Sequence, residues 1–180
     1  SAKVYPAAAI TNSMSGGSLN DFTALKKAGA VAVSDDGKPV ENAKMMLDAI
    51  REAKKAGIAI ISHCEDLDII DGGIINDGEV SRTLGVRGMN RASEDTVTSR
   101  EMILAETSDA PIHIAHVSTK GSAELIRQAK ARGVKVTAET APHYLMMTEE
   151  KLLSRDADYR MNPPLRCESD RLAMTEAVRD

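Results

Sequence analysis

GIAIISHCED, residues 57–66, sets a glycine and four consecutive apolar residues directly before Ser62, His63, Cys64, Glu65 and Asp66. A strand with one wet face alternates apolar and polar residues. The run Ile58–Ser62 does not alternate, so it reads as a strand covered on both faces, the kind that fills parallel sheets. Upstream, Val4–Ile10 and Ala30–Ser34 have the same character, and downstream so do Ile112–His116 and Val134–Ala138.

Amphipathic stretches lie between these five strands. Ala43, Met46, Leu47, Ile50 and Ala53 recur at helical spacing and Gly57 follows as a C-cap, which predicts a helix over 41–56. Leu19–Ala28 is stopped by Gly29. Ser122 is placed to cap a helix with the stripe Leu125, Ile126 and Ala129 that ends at Gly133, and Ser93 and Ser169 to open helices over 94–107 and 170–179. Strand and helix thus alternate as in βα units around a parallel sheet. Residues 67–92, with five glycines, read instead as a long excursion after the third strand, and long loops in compact domains tend to carry function.

Composition narrows the function classes. The chain has 180 residues, 42% apolar and 28% charged, enough to bury a sizeable core; with no Trp and one Phe, Ile, Leu, Val, Met and Ala must build it. No segment approaches the roughly 18 consecutive apolar residues of a membrane span. The net charge of −4 comes with scattered basic residues, so neither nucleic acid nor a membrane is an expected partner. Cys64 and Cys167 form no CxxC pair, which fits a reducing, cytoplasmic setting. The start, Ser1-Ala2-Lys3, lacks Met and an apolar signal region and reads as an expression scar or a cut chain.

Ligands of parallel α/β folds bind beyond the C-terminal strand ends. There the second strand runs into Asp35-Asp36-Gly37, the third into His63-Cys64-Glu65-Asp66 and the fourth into His116-Val117-Ser118-Thr119. One carboxylate and two imidazoles from neighbouring strands suit zinc or a similar divalent ion; the competing reading of SDDG is an ordinary turn. Parity puts Val31 and Val33 toward the helices, hence Asp36 inward and Asp35 away. His113 and His116 fall on opposite faces, and His116 is preferred because it lies at the strand end; a bulge would reverse either assignment. His143, after the fifth strand, reads equally as a residue holding a metal ligand in place or as a solvated loop histidine. Cys64 reads as a small apolar strand residue, Cys167 as an exposed thiol, and Met45-Met46 and Met146-Met147 as core filler.

The strings SDDG (34–37), SHCED (62–66), HIAHVST (113–119), ETAPHYL (139–145) and MNPPLR (161–166), in this order, resemble the class I bacterial dihydroorotases of the amidohydrolase superfamily. The resemblance runs over essentially the whole chain. It implies a (β/α)8 TIM barrel that reversibly closes N-carbamoyl-L-aspartate to L-dihydroorotate in pyrimidine biosynthesis, with two zinc ions bridged by a hydroxide. It further implies that Asp36 bridges both metals, that His63 and His116 complete the ligands of the second, and that Asn162 contacts the substrate.

Two family features have no counterpart here: the HxH pair and following Arg of the first strand, and the catalytic Asp of the last, expected beyond residue 180. The chain is therefore expected to be part of a single barrel domain, strands three to seven, incomplete by itself, without turnover and holding at most one metal weakly. A small-molecule substrate, a homodimer and contact with aspartate transcarbamoylase are further implications. Dihydropyrimidinases and allantoinases bridge their metals with a carbamylated lysine, where this chain has Ser34-Asp35-Asp36-Gly37 and no Lys until Lys38 beyond the turn. A metal-free scaffold partner of aspartate transcarbamoylase is the alternative from another class, and an open α/β domain without metal is the plainest one.

Overall fold

A computed structural model describes residues 2–180. Five parallel strands form the main sheet: β1 (Ala7–Ala8), β2 (Ala32–Ser34), β3 (Ala59–Ser62), then, after an inserted pair β4 (Ile75–Asn76) and β5 (Gly88–Met89), β6 (Ile112–Ile114) and β7 (Val136–Ala138). Their order is β1-β2-β3-β6-β7, and β4 and β5 pair only with each other. The sheet is open, with β1 and β7 as its edges. This agrees with a partial α/β barrel of about five strands with flanking helices.

Helices α1 (Phe22–Lys27), α2 (Ala43–Ala56), α3 (Leu67–Ile70), α4 (Glu79–Leu84), α5 (Ala92–Ser108), α6 (Lys120–Ala131), α7 (Pro142–Met146) and α8 (Glu168–Ala177) fill the intervals. Among the described residues no helix is long and apolar enough to cross a membrane. One sheet face carries Val33, Ile60, Ile112, Ile114 and Val136, all buried in one core with Met46 and Ile50 of α2, Val97 and Met102 of α5, and Ile126 and Ala129 of α6. The other face carries the row Ser34, Ile61, His113 and Thr137, in register across four strands and only partly covered. Parity at Val33 is as the sequence implies; Val31, expected beside it against the helices, is 46% exposed because it precedes the strand.

The five strands lie where the apolar runs place them, but shorter. Val4 and Tyr5, read as strand, are 81% and 69% exposed, since only Ala7 and Ala8 find partners on β2. Three expected helix starts are corrected. The cap of α6 is Thr119, whose hydroxyl accepts from the Ser122 amide at 3.1 Å, while Ser122 itself sits in the first turn and bonds Asp95 and Thr98. Ser93 does not cap its own helix; its hydroxyl bridges the Asp66 N–H and C=O at 2.9 and 3.0 Å and so fastens α5 to the end of β3. Cys167, not Ser169, holds the cap position of α8. It is half-buried rather than an exposed thiol, and donates to Asp170 Oδ2 at 3.1 Å.

The 67–92 excursion is no single helix, as expected, but it is ordered. It builds α3, β4, α4 and β5 over a small second core of Ile75, Val80 and Leu152. Close approach dictates Gly73 and Gly88, where a Cβ would run into the backbone of Gly88 and of Asp77 respectively.

Asp35 and Asp36 part company as parity predicts. Asp35 is buried and accepts from the Ile10 amide at 2.7 Å, the Thr11 amide at 3.2 Å and the Thr11 hydroxyl, tying β1 to β2. Asp35→Ala strands these donors without water and is expected to cost about 3 kcal/mol. Asp36→Ala, at an exposed carboxylate, is expected to cost less than about 1 kcal/mol. Urea unfolding of the two variants measures the contrast, and equal losses would contradict the assignment.

Candidate metal centre

Three strand ends converge on one point. Asp36 follows β2, where the chain turns through Gly37 at φ +75°, a value suited to glycine, and Lys38 N bonds Asp35 O. His63 follows Ser62, which faces the helices, so His63 faces the open side and is nonetheless buried by its neighbours. Cys64 falls back to the core side, where burial pushes its thiol up to about 12, as its reading as a small apolar residue requires.

His116 is the case in which parity alone misleads. Strand β6 ends at Ile114, and His116 takes φ +35°, so the backbone swings its ring back toward β3 and β2. His113, one register row below, bonds Thr137 Oγ1 at 2.8 Å and lies near Glu139, outside the cluster. Glu94 of α5 clamps the turn after His116. One carboxylate oxygen accepts from the amides of Ser118 and Thr119 at 2.9 and 3.1 Å, and the other from the Ser118 hydroxyl and, at 3.4 Å, from Arg166. Arg166, also buried, reaches Asn76 Oδ1 at 3.0 Å and thereby joins the 67–92 excursion to the same clamp.

At the meeting point His63 Nδ1 lies 2.9 Å from His116 Nε2 and 3.0 Å from Asp36 Oδ1, and His116 Nε2 lies 3.2 Å from that same oxygen. The donors of a tetrahedral zinc site stand about 3.3 Å apart when bonds are about 2.0–2.1 Å. The observed triangle is one face of such a tetrahedron, slightly compressed, and a divalent cation above it could touch all three. Burial raises the Asp36 carboxyl, but the hydrogen bond from His116 and the nearby imidazoles outweigh it and hold Asp36 below its ordinary value, ionised as a ligand must be.

Asn162 is brought to the same place. Its Nδ2 donates to Glu65 Oε1 at 2.9 Å, and Glu65 Oε2 lies 3.0 Å from His63 Nε2. Beside them opens a cleft of about 320 Å³ bordered by Glu65, Ile70, Ile74, Arg160 and Asn162, large enough for a small molecule. His143 meets neither of its readings: it is half-buried, packs edge-on against Tyr144 at 4.1 Å and has a buried Nε2 with no hydrogen-bond partner. Burial, with the charge of His116, lowers its pKa. Glu65, Glu94 and Arg166 were not singled out from sequence. Glu65 had a signal, since it shares strand parity with His63; Arg166 ends the MNPPLR string, but neither it nor Glu94 shows a local pattern that points to this role.

Residues 1–122 match the family described as dihydro-orotase-like. The chain is 50% identical over 180 residues to a dihydroorotase of Geobacter metallireducens and 51% identical over 177 residues to one of Citrifermentans bemidjiense, and spans 42% of the length of each. Among solved structures it is similar to a D-hydantoinase, with a TM-score of 0.73 and 29% identity over 88% of this chain and 37% of that one. It shares the fold of the L-hydantoinase (dihydropyrimidinase) of Arthrobacter aurescens, with a TM-score of 0.70 and 20% identity over 84% of this chain and 36% of the other. With residues 1–122, more than half of its length, matched by that family, this chain belongs to the dihydro-orotase-like family.

Proposed function

We propose that the chain is the central part, strands three to seven, of a dihydroorotase barrel and supplies the carboxylate-and-imidazole half of its zinc centre. The observation that carries this reading is the triangle of Asp36 Oδ1, His63 Nδ1 and His116 Nε2, 2.9–3.2 Å on its sides, in a chain half identical to dihydroorotases.

In that role Asp36, ionised and exposed on one side, would hold a cation together with His63 and His116 and would be the carboxylate shared with a second. Zinc, when bound, would lower the pKa of a water and polarise a carbonyl. The chain's other contribution is placement. Asn162 borders the cleft beside Glu65 and contacts the substrate, a cyclic amide that opens to N-carbamoyl-L-aspartate, and the Glu94–Arg166 clamp keeps His116 aimed. The four histidines include no HxH pair to complete a second site.

The test is zinc content and turnover of a full-length protein carrying this segment. The expectation is stoichiometric metal, L-dihydroorotate opened, and activity removed by a chelator and returned by zinc. Turnover of hydantoin or dihydrouracil in preference to dihydroorotate would favour the hydantoinase reading that the structural likeness keeps in view. Normal folding with no metal would favour a scaffold.

A further inference from the structure

We propose that Glu65 is a positioning residue whose two carboxylate oxygens couple the metal centre to the substrate-contacting loop, one fixing the ring of His63 and the other the amide of Asn162. The inference rests on reading Asp36, His63 and His116 as a metal centre.

The chemistry of the donors forces the arrangement. Oε2 of Glu65 lies 3.0 Å from His63 Nε2 and Oε1 lies 2.9 Å from Asn162 Nδ2. Each oxygen of Glu65 thus faces a ring or amide nitrogen, the arrangement in which a carboxylate accepts at both oxygens. The His63 proton must then sit on Nε2. Nδ1 keeps its lone pair, aimed at the point shared with Asp36 and His116, and His63 binds a cation through Nδ1.

At the other oxygen the same logic orients Asn162. An acceptor-only carboxylate can face only the NH2 end of the amide, so the Asn162 carbonyl oxygen turns away from Glu65 and is the atom left for a ligand N–H, as a cyclic amide offers. Its neighbour Asp66 is engaged elsewhere, capping α3 by accepting from Ile69 N at 3.0 Å. Glu65 is 7% exposed, so water cannot replace it cheaply either.

Three measurements on a full-length protein carrying this segment test the coupling. Long-range ¹H–¹⁵N correlation on the metal-free protein is expected to show His63 protonated at Nε2. Glu65→Ala is expected to weaken zinc binding, read by competition with a chromophoric chelator, by roughly 10–100-fold. In kcat/KM for the cyclic substrate, Glu65→Ala and Asn162→Ala are expected to be strongly non-additive, the second change adding less than about threefold once the first is made.

A His63 proton on Nδ1, zinc affinity of Glu65→Ala within twofold of the parent, or additive kinetic losses would each overturn the proposal. The tautomer readout needs no substitution and so stands if Glu65→Ala misfolds. Failure of the unsubstituted protein to bind zinc is a different result: it removes the metal-centre reading itself, and this inference with it.

Discussion

His63→Ala in a full-length protein carrying this segment is expected to lower zinc affinity by more than the roughly 10–100-fold that loss of an outer hydrogen-bond partner costs, and to bring turnover below detection. The ring is the hub of the cluster: its Nδ1 is within 3.0 Å of both other donor atoms. Without it, Asp36 and His116 remain as a two-donor edge, too few to hold a zinc ion against water. His113→Ala is the matched control. That ring bonds Thr137 and reaches none of the three donor atoms, so metal affinity should stay within about twofold of the parent. Equilibrium dialysis with elemental analysis reads both variants. Equal losses from the two substitutions would mean that the cluster is not the binding site.

The largest effect on stability is expected at Glu94 and Arg166, 4% and 5% exposed. Glu94 accepts from two backbone amides, two hydroxyls and the Arg166 guanidinium, which in turn donates to Ser118, Asn76 and the Met89 carbonyl. Removing one member of such a pair leaves the other charge buried and uncompensated, at about 3–5 kcal/mol. For a domain of this size Glu94→Ala should therefore lower Tm by about 6–20 °C. The double variant Glu94→Ala/Arg166→Met should lose clearly less than the two single losses added together, by at least about 1 kcal/mol, because neither charge is then stranded. The effect should persist in high salt, which screens exposed pairs but not buried ones. A Tm change of 1 °C or less on Glu94→Ala would show that the clamp does not hold the turn after His116.

The clamp also explains how a short, irregular segment can carry a metal ligand. His116 sits past the end of β6 at a positive φ that a non-glycine residue takes only when its surroundings over-determine it. Glu94 arrives from α5, Arg166 from the chain before α8, and together they fix residues 117–119.

Much of this was open to reading along the chain because it is local. Apolar runs without alternation mark strands buried on both faces, and helical stripes ended by glycine mark what covers them. Hydrophobic periodicity therefore placed all five main strands and α2, and strand parity alone separated Asp36 from Asp35 and His63 from Cys64. The two-residue strands β4 and β5 are too short to show any period, and the true cap of α6 lay three residues ahead of the serine that looked like one. The tertiary structure alone decided that His116 turns back to the site, that Glu65 bonds Asn162 across 97 residues of sequence, and that Glu94 and Arg166 brace both. Period and parity express the geometry of one strand or helix, whereas these contacts depend on where the chain returns after whole βα units, which no local pattern encodes.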